Sequence, residues 1–170
     1  MRVLGATVLL IALGPTGWAS AEVPANESAV PALVMPIPSG VSCLVPSDGL
    51  AQLAQRFLAN TELLLARYPE GGMAFSHEVR NLVAGSSDTF VPIMGLLSRS
   101  TVHQKTAIAS GLARAVNECG DEVAYSTAMQ IAIAAVEDTA FQESFAIVLD
   151  QMRVAAIASQ EGPVSNGGAL

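Results

Sequence analysis

Basic residues, aromatic residues and cysteines are all scarce in this chain of 170 residues. It has 8 Lys and Arg against 15 Asp and Glu, a formal charge of −7, and no basic cluster. Such an acidic surface repels phosphate backbones and anionic headgroups, which argues against a nucleic-acid partner and against adhesion to an anionic membrane. The 5 Phe, 2 Tyr and 1 Trp fall mostly on predicted core stripes or the first residues, leaving no platform for stacked bases or sugars.

Sequence motifs for catalysis, cofactors and metals are also absent. There is no C-x-x-C pair, haem-binding C-x-x-C-H, P-loop, dinucleotide fingerprint, EF-hand loop or G-x-S-x-G turn. His77 and His103 have no suitably placed carboxylate and are interpreted as solvated surface residues. The acidic pairs 121–122 and 137–138 stand at predicted helix ends, where capping explains them. We therefore predict that the protein is not an enzyme and has no metal site and no cofactor.

Residues 1–21 have the pattern of a secretory signal peptide. Arg2 precedes an uncharged apolar run at 3–13, and the small residues Ala19 and Ala21 favour cleavage before Glu22. The run is too short to cross a bilayer, which needs roughly 20 apolar residues. The pattern predicts a protein exported to the periplasm or the extracellular medium, with no stable membrane anchor after cleavage.

The next segment, residues 22–46, contains five prolines and is predicted to be an extended leader. It includes Cys43, and the only other cysteine of the chain is Cys119. Because an exported chain meets oxidising surroundings, we expect these two cysteines to form one disulfide. A reactive thiol or a metal ligand is the weaker alternative for Cys119, since two cysteines and two distant histidines do not match a zinc site.

Residues 47–158 have the apolar periodicity of helices, and no alternating run indicates a sheet. The fold predicted is all-α, a single compact bundle of about six helices stapled by the disulfide, with a flexible tail at 159–170. Capping and breaking residues predict a first helix that starts at Ser47 or Asp48 and stops at Pro69, a second at about 74–84, and a third that starts after Asp88. Ser100 or Thr101 opens a fourth helix that Gly120 terminates, and the last two helices lie at 122–138 and about 139–158.

The sequence also predicts the burial of the fifth helix and the way the second helix ends. The fifth helix has no charge from Val123 to Val136, which indicates a buried central helix with Asp121 as its cap. Gly85, after the second helix, suits the left-handed position that commonly ends a helix.

The stretch AIASGLARAVNEC, residues 107–119, resembles a segment of short, poorly characterised bacterial secreted helical proteins, written A-I-x-x-G-L-A-x-A-x-x-x-C. The resemblance covers these thirteen residues. It implies an exported bacterial protein, and it carries over no activity and no site.

The composition, 51 % hydrophobic against 14 % charged, favours a surface that keeps apolar residues exposed. We expect a non-catalytic exported protein that acts through protein–protein contact, with an unidentified protein partner or by self-association. The alternative is a carrier of a small apolar ligand bound between helices. The same five residues would supply the partner surface or line the ligand cavity: Met94, Met129, Ile131, Phe145 and Met152.

Overall fold

The computed structural model of the protein describes residues 36–160, and these residues form seven α-helices and no strand. The predicted cleavage residues Ala19, Ala21 and Glu22 lie outside the described range, as does most of the predicted tail. The helices are α1 Asp48–Ala59, α2 Glu62–Arg67, α3 Gly72–Gly85, α4 Phe90–Leu96, α5 Val102–Glu118, α6 Val123–Ala134 and α7 Thr139–Gln160. The all-α prediction is confirmed.

Polar side chains fix the starts of several helices. Ser47 accepts a hydrogen bond from the Leu50 amide at the start of α1. Thr101 and Gln104 form a capping box at the start of α5, in which each side chain bonds the backbone N–H of the other residue. Asp138 accepts from the Phe141 amide at 3.0 Å and so caps α7. These starts agree with the sequence prediction.

The prediction that Asp121 caps α6 is wrong. The residue before α6 is Glu122, and no side-chain hydrogen bond caps this helix. The chain reaches α6 through a turn after Cys119, in which the Glu122 amide donates to the Cys119 carbonyl at 3.0 Å. Backbone hydrogen bonding at this turn therefore replaces the predicted carboxylate cap.

The first predicted helix is interrupted. Asn60 has an extended backbone (φ −157°), and its amide donates to the Phe57 carbonyl to close α1. Asn60 and Thr61 are weak helix formers whose side chains compete for backbone hydrogen bonds, so the chain bends there at little cost. After the bend α2 begins at Glu62 and buries Leu64.

Helices α3, α5 and α7 run in the same direction, with α5 between the other two. Gly111 of α5 lies against Ser76 of α3, and one ion pair joins Arg80 to Glu118 further along both helices. On the other side of α5, Lys105 contacts Asp138 at 2.5 Å. The helices α4 and α6 return the chain between these parallel elements. The central helix is therefore α5.

The prediction that α6 is the central, fully buried helix is wrong. It buries Tyr125, Ala128, Met129 and Ile133 on one face, but Ile131 is 41 % exposed on the other. A segment without charges also tolerates solvent when its outward positions hold small and uncharged polar residues. Lack of charge therefore does not distinguish a buried helix from a half-buried one.

Three backbone carbonyls at the C-terminal end of α3 accept hydrogen bonds from three different parts of the chain. The Leu82 carbonyl accepts from the Ser86 amide, the Val83 carbonyl from the Tyr125 hydroxyl at 2.9 Å, and the Ala84 carbonyl from the Cys43 amide at 2.7 Å. Helix ends leave carbonyls without helical partners, and burial makes unpaired carbonyls costly. The segment before α1 and the start of α6 are thereby fixed to α3.

Gly85 does not take the predicted left-handed conformation, because the positive φ angles of the described residues belong to Gly40, Gly71 and Gly72. Gly85 is the last residue of α3, and the chain leaves it through an extended Ser86. A Cβ on Gly85 would lie 3.6 Å from the side chain of Leu50. That distance is an ordinary van der Waals contact, so α1 packs beside the end of α3 through Leu50 and leaves room for a small side chain at this position.

The predicted disulfide between Cys43 and Cys119 is present. The two Cα atoms are 5.1 Å apart, the sequence separation is 76, and Cys119 is completely buried at the end of α5. Val41 and Ser87 exchange hydrogen bonds beside it, one from each backbone amide. The segment that carries Cys43 is thus held both by the covalent bond and by backbone pairing.

Candidate functional site

The five residues that sequence reasoning grouped as a partner surface or ligand cavity lie in different surroundings. Met129 is completely buried and Phe145 nearly so, whereas Met94 and Met152 are half-buried. Ile131 and Phe145 line the α6–α7 groove, a surface groove of about 450 Å³ that also involves Thr127, Gln130, Ile133, Ala134 and Gln142. Met152 lines a different groove. The structure therefore does not bring the five residues together around one space.

The second groove lies between α3, α5 and α7 and has a volume of about 490 Å³. We call it the α3–α5–α7 groove; it is lined by His77, Arg80, Arg114, Glu118, Val148, Gln151, Met152 and Ala155. One side is polar and the other, from α7, is largely apolar. Within it Arg80 forms an ion pair with Glu118 at 2.6 Å.

The outward face of α7 carries three exposed aliphatic residues together with the exposed Asp150. Ile147, Val154 and Ile157 are 57 %, 59 % and 63 % exposed, and their spacing of seven and three residues places them on one side of the helix. We call these three residues the outer face of α7. Phe141 and Phe145 point the other way and are buried against the core.

The last part of α7 extends beyond its neighbours. Helix α5 ends at Glu118, which shares a groove with Met152 and Ala155, whereas α7 continues to Gln160. All residues from 153 to 159 are exposed. Val154 and Ile157 of the outer face of α7 therefore lie on the projecting helix end, and Ile147 lies two turns before them.

A polar cluster that sequence reasoning missed joins α2 to α3. Glu78 accepts hydrogen bonds from the Arg67 guanidinium at 2.6 Å and from the Tyr68 hydroxyl. The hydrogen bond to Glu78 raises the pKa of the Tyr68 hydroxyl, and the charge of Glu78 raises the pKa of Arg67. No sequence signal could have shown this cluster, because it depends on the turn between the two helices.

A second missed feature is the role of two glutamines as helix-end caps. Gln104 of α5 is buried and donates to the carbonyls of Leu65 and Tyr68, at 2.9 Å each, just where α2 ends. Gln142 of α7 donates to the carbonyls of Ile133 and Val136 at the end of α6. In both cases a side chain near the start of one helix donates hydrogen bonds to backbone carbonyls at the end of an earlier helix, which have no helical partner.

Residues 36–160 contain no group of three His, Cys, Asp or Glu side chains close enough to hold a metal ion.

Burial raises the pKa of the Tyr125 hydroxyl, which donates to the Val83 carbonyl and so has a structural role. Within residues 36–160, no helix combines the length and the apolar character needed to cross a bilayer.

Comparison with known proteins finds no matching protein-family model, no similar curated protein and no similar solved structure. Function is therefore inferred from the surfaces of the chain itself, above all the outer face of α7 and the α3–α5–α7 groove.

Proposed function

We propose that this is a non-catalytic exported protein, periplasmic or extracellular, which acts by protein–protein contact through the outer face of α7. The observation that carries the proposal is the exposure of Ile147, Val154 and Ile157 on one side of a projecting helix. Aliphatic residues at such spacing are the anchors that amphipathic helices use to bind a partner groove or another helix.

The surroundings of these residues suit an interface. Asp150 is exposed on the same side of the helix, between Ile147 and Val154 along the chain, and Arg153 is exposed at the edge of that side, so the surface combines aliphatic and charged groups as typical interfaces do. The opposite face of α7 is already used in packing against α5, through residues such as Phe141. A partner can therefore cover the outer face without disturbing the fold.

Export is supported by two features. Residues 1–21 have the order of charge, apolar run and small residues found in signal peptides. The bridge between Cys43 and Cys119 is the state expected in an oxidising compartment.

Two observations favour contact with a partner over the carriage of an apolar ligand. A carrier of a wholly apolar ligand would surround it with apolar side chains, but the α6–α7 groove is open to solvent and the α3–α5–α7 groove is lined on one side by charged residues. In addition, Met129, which was expected to line a cavity, is packed in the core.

The proposal is tested by site-specific photocrosslinking in the cells that produce the protein. A photoreactive amino acid at Val154 should give one defined crosslinked product, and the same amino acid at Val91 should not. Val91 is a matched control because it is 61 % exposed but lies on α4. The product should disappear when Ile157→Glu is added. Equal products at 154 and 91, or none at 154, would exclude the outer face of α7 as an interface.

Native mass spectrometry of the purified mature protein then identifies the kind of partner. A dimer that is lost in the Ile157→Glu variant would indicate a second copy of the chain. A monomer, together with a heavier crosslinked product in cells, would indicate a different protein.

A further inference from the structure

Two arginines and a histidine converge in the α3–α5–α7 groove, although the protein as a whole is acidic. Two of the chain's 8 Lys and Arg residues and one of its 2 histidines line this groove. They come from different helices, His77 and Arg80 from α3 and Arg114 from α5. Their convergence is produced by the fold, because Arg114 is more than 30 residues away from the other two in the chain.

Arg114 is the distinctive member of this group. The ion pairs formed within residues 36–160 occupy Arg67, Arg80, Arg99 and Lys105, and Arg114 takes part in none of them. Its side chain is half-buried beside the groove. A guanidinium has five N–H donors in a planar fork that fits a carboxylate, so Arg114 has donors available for a ligand.

The other side of the groove is apolar. Val148, Met152 and Ala155 of α7 line it, and they lie on a different side of the helix from Ile147 and Val154. Methionine is flexible and polarisable, so Met152 can adapt to hydrocarbon chains of different shape. The groove therefore places one available cation beside an apolar wall.

We propose that the α3–α5–α7 groove binds a small ligand with one carboxylate on an aliphatic chain. Arg114 pairs with the carboxylate, and the chain lies along Val148, Met152 and Ala155. Glu118 neutralises Arg80 in the same groove, so the net positive charge left there suits a monoanion better than a phosphate dianion. This site is separate from the outer face of α7 and does not depend on the proposed protein–protein contact.

The test is a calorimetric titration of the purified mature protein with decanoate, below the concentration at which decanoate forms micelles. Decanoate should bind with one site per chain, 1-decanol should bind at least tenfold more weakly, and acetate should not bind measurably. The Arg114→Gln variant should lose at least tenfold in affinity. Arg114→Lys should lose nearly as much, because lysine retains the charge but not the fork.

Arg56→Gln is the matched control, since Arg56 also takes part in none of the described ion pairs but lies on α1, outside this groove. It should bind decanoate like the wild type, and thermal unfolding should show that each variant is folded. Three results would overturn the proposal: no decanoate binding, equal loss in the Arg56 and Arg114 variants, or a glutamate-rich peptide bound more tightly than decanoate. The last would assign the groove to an acidic protein segment.

Discussion

A Cβ atom on Gly111 would lie 2.7 Å from the backbone oxygen of Ser76 and equally close to the side chain of Val79. Real Cβ atoms do not approach other heavy atoms so closely, and the Ser76 oxygen belongs to helix backbone that cannot rotate away. Helices α3 and α5 therefore meet backbone to backbone at Gly111, and the position admits no side chain without moving one helix.

We expect Gly111→Ala to destabilise the protein by about 1–3 kcal/mol, the usual cost of overpacking a core. Gly95→Ala is the control, because a Cβ on Gly95 in α4 would have no heavy atom of another residue within 4 Å. It should be neutral or stabilising by up to about 1 kcal/mol, as alanine favours a helix over glycine. Urea unfolding measures both, and a Gly111→Ala variant as stable as Gly95→Ala would contradict the close contact.

Two substitutions in α6 should have very different effects on the stability of the fold. Ala128 is 1 % exposed, and Ala128→Glu should prevent folding because an unpaired charge in the core costs several kcal/mol. Ile131→Asp, one turn away on the exposed side, should cost about 1 kcal/mol and keep a cooperative thermal transition. Circular dichroism melting of both variants checks the prediction, and two unfolded proteins would show that α6 is buried on both sides after all.

Removal of the disulfide should cost about 2–4 kcal/mol of unfolding free energy, because the bridge closes a loop with a sequence separation of 76. Cys43→Ser and Cys119→Ser should be destabilised to a similar degree, and the double variant should be little worse than either. Thiol titration of the denatured, unreduced wild type should find no free thiol. Two thiols per chain would show that the bridge does not form in solution.

The contribution of Asp138 to stability should depend on pH in the acidic range. The hydrogen bonds from Lys105 and from the Phe141 amide hold the pKa of the Asp138 carboxyl below its usual value. A group with a lowered pKa in the folded state stabilises the protein above its unfolded pKa of about 3.9, and this stabilisation is lost as pH falls through the folded value.

Urea unfolding of the wild type and of Asp138→Asn measures this dependence. The wild type should be the more stable at pH 7, and the difference should shrink steadily between about pH 5 and pH 2. Asp150→Asn is the control, because Asp150 is exposed on α7 and takes part in none of the ion pairs of the described residues. A difference between wild type and Asp138→Asn that is the same at pH 7 and pH 2 would contradict the prediction.

Local patterns predicted much of this fold because they depend on neighbours in the chain. The 3.6-residue periodicity of apolar residues indicated helices, and Ser100 or Thr101 was predicted to open the helix that Thr101 caps in the structure. The pairing of Cys43 with Cys119 followed because the chain has no other cysteine. Each of these predictions needed only composition or short spacing.

The errors arose where long-range packing decides the outcome. Helix α6 has nearly the same apolar character on all sides, so its sequence does not indicate which side is buried. Asn60 interrupts a regular apolar stripe, and the break places Leu64 of α2 in the core, which the stripe alone did not indicate. The α3–α5–α7 groove could not be predicted. Its residues come from three helices, and local sequence patterns do not determine how these helices pack against one another.

The A-I-x-x-G-L-A-x-A-x-x-x-C pattern of residues 107–119 now has a structural explanation. Every fixed letter of the pattern is buried in α5: Ala107, Ile108, Gly111, Leu112, Ala113, Ala115 and Cys119. A helix packed on two sides by α3 and α7 needs small residues at most of these places. The pattern therefore describes the packing of a central helix.

The bridge between Cys43 and Cys119 also determines how the chain responds to force. The helices α1, α2, α3, α4 and α5 lie between Cys43 and Cys119 in the chain. If residues 36 and 160 are pulled apart, the disulfide transmits the force directly from Cys43 to Cys119, so the chain between them is not stretched. Roughly 250 Å of contour length is thereby withheld from extension until the bond is reduced. Of the described helices, force can therefore extend only α6 and α7 before the bond is reduced, and α7 is the helix that carries the exposed outer face.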